Sequence, residues 1–315
     1  MEFVLIVAGL VLLIFGGDYL VKGASGIALK LDVPAMLVGM TVVALGTSSP
    51  ELVVSLRAAL DGKPDISVGN VVGSNISNVA LILGVTTLIF PLTIQKQSLK
   101  VDWSVMMAAS LLFVLFAMDG LLSRYEGGLF VFLLALFIVV SFFIARKNKG
   151  ASVAIEEVSA KDTSRPWWTL IFFVLLGTAG LIFGAKWFLE GAESIARNLG
   201  VSDRVIAITL VAFGTSVPEL SASIVAAFKK EQDISLGNII GSNLFNLFAI
   251  LGITSLVKPI NVSEEILSND VYWMLGTSFI ILPLGLLGYR LNRIDGFIFL
   301  TCYVVFVYFL FASPS

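Results

Sequence analysis

Residues 41–84 read TVVALGTSSPELVVSLRAALDGKPDISVGNVVGSNISNVALILG, and residues 209–252 read TLVAFGTSVPELSASIVAAFKKEQDISLGNIIGSNLFNLFAILG. The two stretches align without a gap at an offset of 168, with 24 of 44 positions identical. Drift under packing constraint alone would preserve apolarity, yet the identities here are largely polar, Gly or Pro. The same offset pairs Phe15-Gly16 with Phe183-Gly184, Gly23-Ala24 with Gly191-Ala192, and Ile27-Ala28 with Ile195-Ala196, so the repeat starts in the first apolar run of each half. A long internal repeat of this kind sets the architecture before any single element is read.

Composition sets the solvent. Of 315 residues, 57% are hydrophobic and 13% charged, with mean hydropathy +0.98. A soluble domain averages about 45–50% apolar and about 25% charged, so a water-soluble enzyme and a disordered chain are both excluded. The net charge of −2 leaves no basic footprint for nucleic acid. With no histidine, no site can rest on imidazole, and the single cysteine, Cys302, can form neither an internal disulfide nor a thiolate cluster. No nucleophile–base pair and no P-loop pattern is visible, so neither an enzyme nor a nucleotide-driven pump is expected.

A membrane span needs about 20 mostly apolar residues. Ten stretches qualify: 3–20, 34–60, 67–90, 103–118, 127–145, 167–189, 204–228, 235–257, 271–288 and 295–312. The first lacks a basic leader and a cleavage site, and reads as a retained helix. The sequence therefore predicts an all-α integral membrane protein of ten transmembrane helices, in two five-helix repeats over 1–145 and 167–315 joined by a polar linker at 146–166. Five is odd, so the second half enters the membrane from the opposite side: the repeats are inverted, the pattern of secondary transporters. Placing both termini outside puts 13 Lys and Arg residues on the cytoplasmic side, linker included, against 7 outside, as the positive-inside rule prefers. A multi-pass protein of the plasma membrane is expected, with no obligatory protein partner.

Within each repeat, Gly46-Thr47-Ser48-Ser49-Pro50-Glu51 and Gly214-Thr215-Ser216-Val217-Pro218-Glu219 lie in the middle of an apolar span. Proline removes a backbone donor and clashes one turn back, which should free carbonyls around Ala44–Thr47 and Ala212–Thr215. A carboxylate follows at once, and a charge at the bilayer centre costs about 2.5–3.5 kcal/mol. Apart from Arg57, nearly two turns beyond Glu51, no basic residue shares these stretches, so the natural countercharge is a bound cation. The bland alternative is a proline kink with a protonated, packing glutamate. Further on, Ser74 and Asn78, like Ser242 and Asn246, are four apart on one helical face. The Gly69/Gly73 and Gly237/Gly241 spacing suits close helix approach. For Asn70, Asn75, Asn238 and Asn243 simple interhelical hydrogen bonding competes with ligation, and Asp65 and Asp233 read as N-caps. The candidate donors are all hard oxygens, which suits Ca²⁺ or Na⁺ rather than zinc, copper or iron. Two carboxylates balance one Ca²⁺ or two Na⁺, and competition for one cavity would couple the two ions. No cofactor is needed. A channel would not require two interrupted halves, and an inert scaffold gives no reason for paired intramembrane glutamates.

At these residues the chain resembles the sodium/calcium exchanger branch of the cation/calcium exchanger superfamily, whose two α-repeats are similar to Gly46–Glu51 with Gly69–Asn78 and Gly214–Glu219 with Gly237–Asn246. The resemblance implies a secondary antiporter that exchanges Na⁺ for Ca²⁺ by alternating access at a midplane site; a proton-coupled Ca²⁺ exchanger is the alternative. It implies Ca²⁺ held by Glu51 and Glu219 with help from the carbonyls of Thr47 and Thr215. It implies Na⁺ sites from Ala44, Thr47, Ser48, Ser74 and Glu51, and from Ala212, Thr215, Ser216, Ser242 and Glu219, with Asn78 and Asn246 lining the middle. The first and sixth helices would slide as the gate. Many relatives carry aspartate where this chain has Asn246; the lost charge argues against K⁺ co-transport and leaves a −2 site, at which a third Na⁺ makes exchange electrogenic.

Overall fold

The computed structural model describes residues 2–147, 165–199 and 214–312. Most of the linker expected at 146–166, the first part of the span expected at 204–228, and Ala212 lie outside the described residues. The described chain is almost wholly helical: α1 (Glu2–Leu31), α2 (Ala35–Thr47), α3 (Ser49–Leu60), α4 (Pro64–Ile89), α5 (Ser98–Ala117), α6 (Arg124–Lys147), α7 (Trp167–Asn198), α8 (Val217–Phe228), α9 (Gln232–Val257), α10 (Val271–Leu286) and α11 (Arg293–Ala312). Four two-residue strands lie between them: β1 (Leu92–Thr93), β2 (Leu121–Leu122), β3 (Ile260–Asn261) and β4 (Arg290–Leu291). Among the described residues seven helices are long and apolar enough to cross a membrane, eight when α2 and α3, bent by 49° at Ser48, count as one span. The remaining two expected spans correspond to α8, of 12 residues, and α10, of 16.

α1 and α7 outrun their expected ends, reaching Leu31 rather than residue 20 and Asn198 rather than 189. The apolar run stops at charges; the backbone ladder does not. Asp18 pairs with Lys22 one turn on at 2.6 Å and with Lys229 at 2.5 Å, so these charges are neutralised inside the helix instead of ending it. Asp65 is not an N-cap: Pro64 takes the first position of α4, Lys63 is the cap residue, and no side chain caps it. Proline's fixed φ suits that position, which moves Asp65 into the first turn, where its charge still favours the helix N-terminus. Asp233 likewise sits in the first turn of α9.

The repeat is visible in the turns. After α3, Gly62 (φ 75°) takes the left-handed position while the Lys63 and Gly62 amides donate to Ala58 and Ala59. After α8, Lys230 (φ 63°) does the same, with the Glu231 and Lys230 amides donating to Ala226 and Ala227. Both are the helix-ending motif in which a left-handed residue satisfies the last carbonyls. The start of α6 is fixed by Glu126 accepting the Ser123 amide, and that of α11 by Asp295 accepting the Asn292 amide, each at 2.7 Å.

The described residues form two compact units, one drawn from Met1–Pro50 and Leu136–Gly241, the other from Glu51–Ala135 and Ser242–Ser315. Each takes segments from both sequence repeats. In the first unit α1 and α7 run antiparallel in backbone contact along a glycine every seventh residue: Gly9, Gly16 and Gly23 against Gly184, Gly177 and the Leu170–Val174 turn. A Cβ on Gly16 would stand 2.7 Å from the Leu181 nitrogen and 2.9 Å from the Gly177 carbonyl. Packing this close is how helices associate where lipid removes the hydrophobic drive. In the second unit α4 packs on α11 and α10, and two antiparallel ribbons tie the loops, with Leu92 opposite Leu291 and Leu122 opposite Ile260.

Candidate functional site

The helix breaks fall at Ser48 (φ −85°, ψ 7°) and Ser216 (φ −89°, ψ 0°), two residues before each proline. Both serines occupy the sparse bridge region between helix and strand. Pro50 and Pro218 thus sit in the first turn of new helices, α3 and α8, where a missing N–H costs nothing, as an interrupted helix requires and unlike the bland alternative of a kink in one continuous helix. The consequence is electrostatic. Glu51 and Glu219 stand in the first turn of their helices, at the positive end of the helix dipole, which favours a carboxylate by about 0.3–1 kcal/mol and up to about 2 when partly buried. Each glutamate is only 1% exposed.

In the first unit, the Ser48 hydroxyl donates to Glu219 Oε1 at 2.9 Å, joining the phrase of one repeat to the carboxylate of the other. Glu219 Oε2 and Ser216 Oγ are buried and have no hydrogen-bond partner among the described residues. Asn238, fully buried, donates from Nδ2 to the Glu219 carbonyl (3.3 Å) and Ser223 Oγ (3.0 Å), and accepts the Thr47 hydroxyl on Oδ1 (3.1 Å). It fastens α8 to α9 at the glutamate itself. Ala44 and Thr47 are fully buried and Thr215 is half-buried. The expected release of carbonyls is partial: Ala44 O accepts the Ser48 amide at 2.9 Å, and Leu45 O accepts the Ser49 hydroxyl at 2.6 Å. Gly237 and Gly241 meet the Met36–Met40 backbone, a Cβ on Gly237 standing 2.5 Å from Met36 O. Gly69 and Gly73 meet nothing within 4 Å among the described residues.

In the second unit, Asn70 repeats the role of Asn238, donating to the Glu51 carbonyl (3.3 Å) and Ser55 Oγ (2.9 Å). Deeper in, α4 and α9 each widen into a π-helical turn, over Ser77–Leu83 and Phe245–Leu251, a distortion common at functional sites. Asn78 and Asn246 lie on these turns and Asn75 and Asn243 just before them, all four 1% exposed. Asn78 Nδ2 donates to Asn243 Oδ1 (3.0 Å) and Asn246 Nδ2 to Asn75 Oδ1 (2.9 Å). Asn75 Nδ2 faces Met274 Sδ (3.8 Å) and Asn243 Nδ2 faces Met106 Sδ (3.5 Å). Asn78 Oδ1, Asn246 Oδ1 and Ser242 Oγ remain buried without partners among the described residues. Ser74 is buried. Interhelical bonding is thus the role of Asn70, Asn75, Asn238 and Asn243. Sequence reading missed the methionines, although Met106 and Met274 are themselves identical at the offset of 168. Each unit by itself offers buried oxygen acceptors, one carboxylate among them, of the kind that suits a hard cation.

Comparison with known proteins agrees with that chemistry. The family profile described as sodium/calcium exchanger protein matches residues 1–143 and again 169–312, two matches that follow the internal repeat. The chain is 37% identical to the CaxA protein of Alkalimonas amylolytica over 314 residues, covering 98% of both. It is 36% identical to the sodium/calcium exchanger MaX1 of Methanosarcina acetivorans over 352 aligned residues, again covering 98% of both. A solved structure of the sodium-calcium exchanger NCX_Mj superposes with a TM-score of 0.82 at 30% identity, over 96% of this chain and 97% of that one. With two copies of the profile in one multi-pass helical chain, the protein belongs to the sodium/calcium exchanger family.

Proposed function

We propose that this protein is a secondary active antiporter that moves Na⁺ against Ca²⁺ by alternating access, with Glu51 and Glu219 as the carboxylates that carry both ions at the membrane midplane. The observation that carries the reading is the duplicated carboxylate, 1% exposed at each copy and set in the first turn of a helix that starts after a break. Such interrupted helices are where transporters of inverted topology hold their cargo. Around the glutamates, Thr47, Ser48, Ser74, Asn78 and Ala44, with Thr215, Ser216, Ser242, Asn246 and Ala212, supply hydroxyl, amide and carbonyl oxygens. Ca²⁺ takes 6–8 such ligands in about this mixture. When Na⁺ occupies the site it must displace Ca²⁺, since two carboxylates cannot neutralise both loads together, and this competition couples the fluxes.

The ten-span, inverted arrangement of 1–145 and 167–315 goes with this reading, with the 146–166 linker in the cytoplasm and both termini outside the plasma membrane. α1 and α7 move as one body, a motion supported by their backbone-close glycine seam. Related crystals of NCX_Mj were soaked with Na⁺ together with Ca²⁺ or Sr²⁺, and both divalent ions serve as probes here. The test is ⁴⁵Ca²⁺ uptake into proteoliposomes loaded with Na⁺, Li⁺ or K⁺ at equal pH, with Glu51→Gln and Glu219→Gln beside the wild type. Uptake from Na⁺-loaded vesicles alone, lost in both variants, is the expected result. Uptake indifferent to internal Na⁺ and driven by an imposed pH gradient refutes Na⁺ coupling.

A further inference from the structure

We infer that Asn75 and Asn243 are positioning residues that fix the amide polarity of Asn246 and Asn78, so that each of the latter presents its oxygen, not its NH₂, to the transported cation. The inference rests on the proposed role of Asn78 and Asn246 as ion-lining residues and adds what makes that role possible. An asparagine side chain has two nearly isosteric ends, one an acceptor and one a double donor. In a cation path only one orientation is useful; the other turns a ligand into a repulsive group. Shape cannot choose between them, so the choice falls to whatever faces the far end of the amide.

Here the far ends meet acceptors. Asn78 Nδ2 lies 3.0 Å from Asn243 Oδ1, and Asn246 Nδ2 lies 2.9 Å from Asn75 Oδ1. Flipping either amide would set oxygen against oxygen in a pocket 1% exposed. The positioning amides are themselves oriented, because their NH₂ groups face the soft acceptors Met274 Sδ and Met106 Sδ at 3.8 and 3.5 Å, and Asn75 Nδ2 also reaches the Asn243 carbonyl at 3.5 Å. The chain of direction therefore runs from thioether to Asn243 to Asn78, and from thioether to Asn75 to Asn246. It ends on two buried oxygens, Asn78 Oδ1 and Asn246 Oδ1, that have no partner among the described residues. The two chains are copies of one another at the offset of 168 and cross over, each positioning residue acting on the ion-lining residue of the other repeat.

The test is a double-mutant cycle read in the concentration dependence of ⁴⁵Ca²⁺ uptake. Asn243→Leu removes the acceptor and should raise the Ca²⁺ KM about tenfold, the size expected when one buried polar interaction is lost, with maximal rate within about twofold. Asn243→Asp keeps an acceptor oxygen facing Asn78 and should hold KM within about threefold. In an Asn78→Asp background both ends of residue 78 are oxygen, orientation no longer matters, and Asn243→Leu should add nothing; a tenfold rise that persists there overturns the inference. The mirror variant Asn75→Leu, acting on Asn246, replaces Asn243→Leu if that protein fails to fold, and an unchanged KM in a folded variant of either kind also overturns it. Asn78→Leu separates the two levels: unchanged Ca²⁺ and Na⁺ KM would remove Asn78 from the ion path, whereas a weakened Asn78→Leu beside a normal Asn243→Leu would refute the positioning alone.

Discussion

Asn238 and Asn70 occupy the same place in the two repeats, but their replacement by leucine should not cost the same. Asn238→Leu keeps the number and branching of the side-chain heavy atoms and removes three hydrogen bonds. The Thr47 hydroxyl loses little, since it also donates to Val43 O at 3.2 Å. Ser223 Oγ and the Glu219 carbonyl each lose the Asn238 donor, in a position where Asn238 and Ser223 are fully buried. Leaving the buried Ser223 hydroxyl without that donor costs about 1–3 kcal/mol, and the Glu219 carbonyl, which stays in the α8 ladder, loses a second bond at about 1 kcal/mol, so the total comes to about 2–4 kcal/mol. Asn70 is half-buried, and Ser55 Oγ still donates to Ser67 O at 3.3 Å once Asn70 has gone; there the cost is about 1 kcal/mol. At about 2–4 °C per kcal/mol for a large single chain, Asn238→Leu should lower the melting temperature by roughly 4–16 °C and Asn70→Leu by roughly 2–4 °C. Thermal melting of detergent-solubilised protein, followed by size-exclusion chromatography, reads both shifts. Equal shifts, or a fall of less than about 2 °C for Asn238→Leu, would show that this network does not hold the Glu219 helix as described.

Three further outcomes follow from single contacts. At the proposed site Asn246→Asp would turn a charge of −2 into −3, so that a load of three Na⁺ becomes neutral and one Ca²⁺ leaves −1: solid-supported-membrane recordings should move the charge-carrying half-cycle from Na⁺ to Ca²⁺, and an unchanged pattern would exclude Asn246 from the ion site. Gly16→Ala drives a Cβ into the α7 backbone and should cost about 1–3 kcal/mol; Gly276→Ala, which meets nothing within 4 Å among the described residues, should be neutral or stabilising, and similar melting points for the two would contradict the glycine seam. Lys229→Gln breaks a pair with Asp18 that is roughly a quarter exposed on both sides, so stability should change by no more than about 1 kcal/mol and the difference should vanish near 1 M salt.

The repeat was legible because its identities are largely polar, Gly or Pro within apolar runs, and Glu51, Glu219, Asn78 and Asn246 stand out from the sequence for that reason. Helix lengths were not legible, because an ion pair such as Asp18–Lys229 links residues more than two hundred apart and lets charges reside within α1. The pairing of the four asparagines was hidden in the same way, but less completely. In a duplicated chain, a contact from 78 to 243 can have its image in a contact from 246 to 75, as it does here, whereas the Ser48–Glu219 bond has no image at Ser216 among the described residues. The matched methionines at 106 and 274 were the available sign that something buried and polarisable waits at each end.

The prolines teach the sharper point. Sequence locates where the backbone ladder must fail, since Pro50 and Pro218 lack a donor, but it does not say on which side. A kink would leave each glutamate one residue past a distortion within a continuous helix, with its charge opposed only by what binds it. A break at Ser48 and Ser216 instead begins a new helix one residue ahead of each proline. The same proline then becomes a first-turn residue, and the same glutamate becomes an anion at a helix N-terminus, at the positive end of the dipole. The two descriptions differ by two residues in the chain, but only the second sets the buried carboxylates against a helix dipole, a permanent, partial countercharge that needs no bound ion.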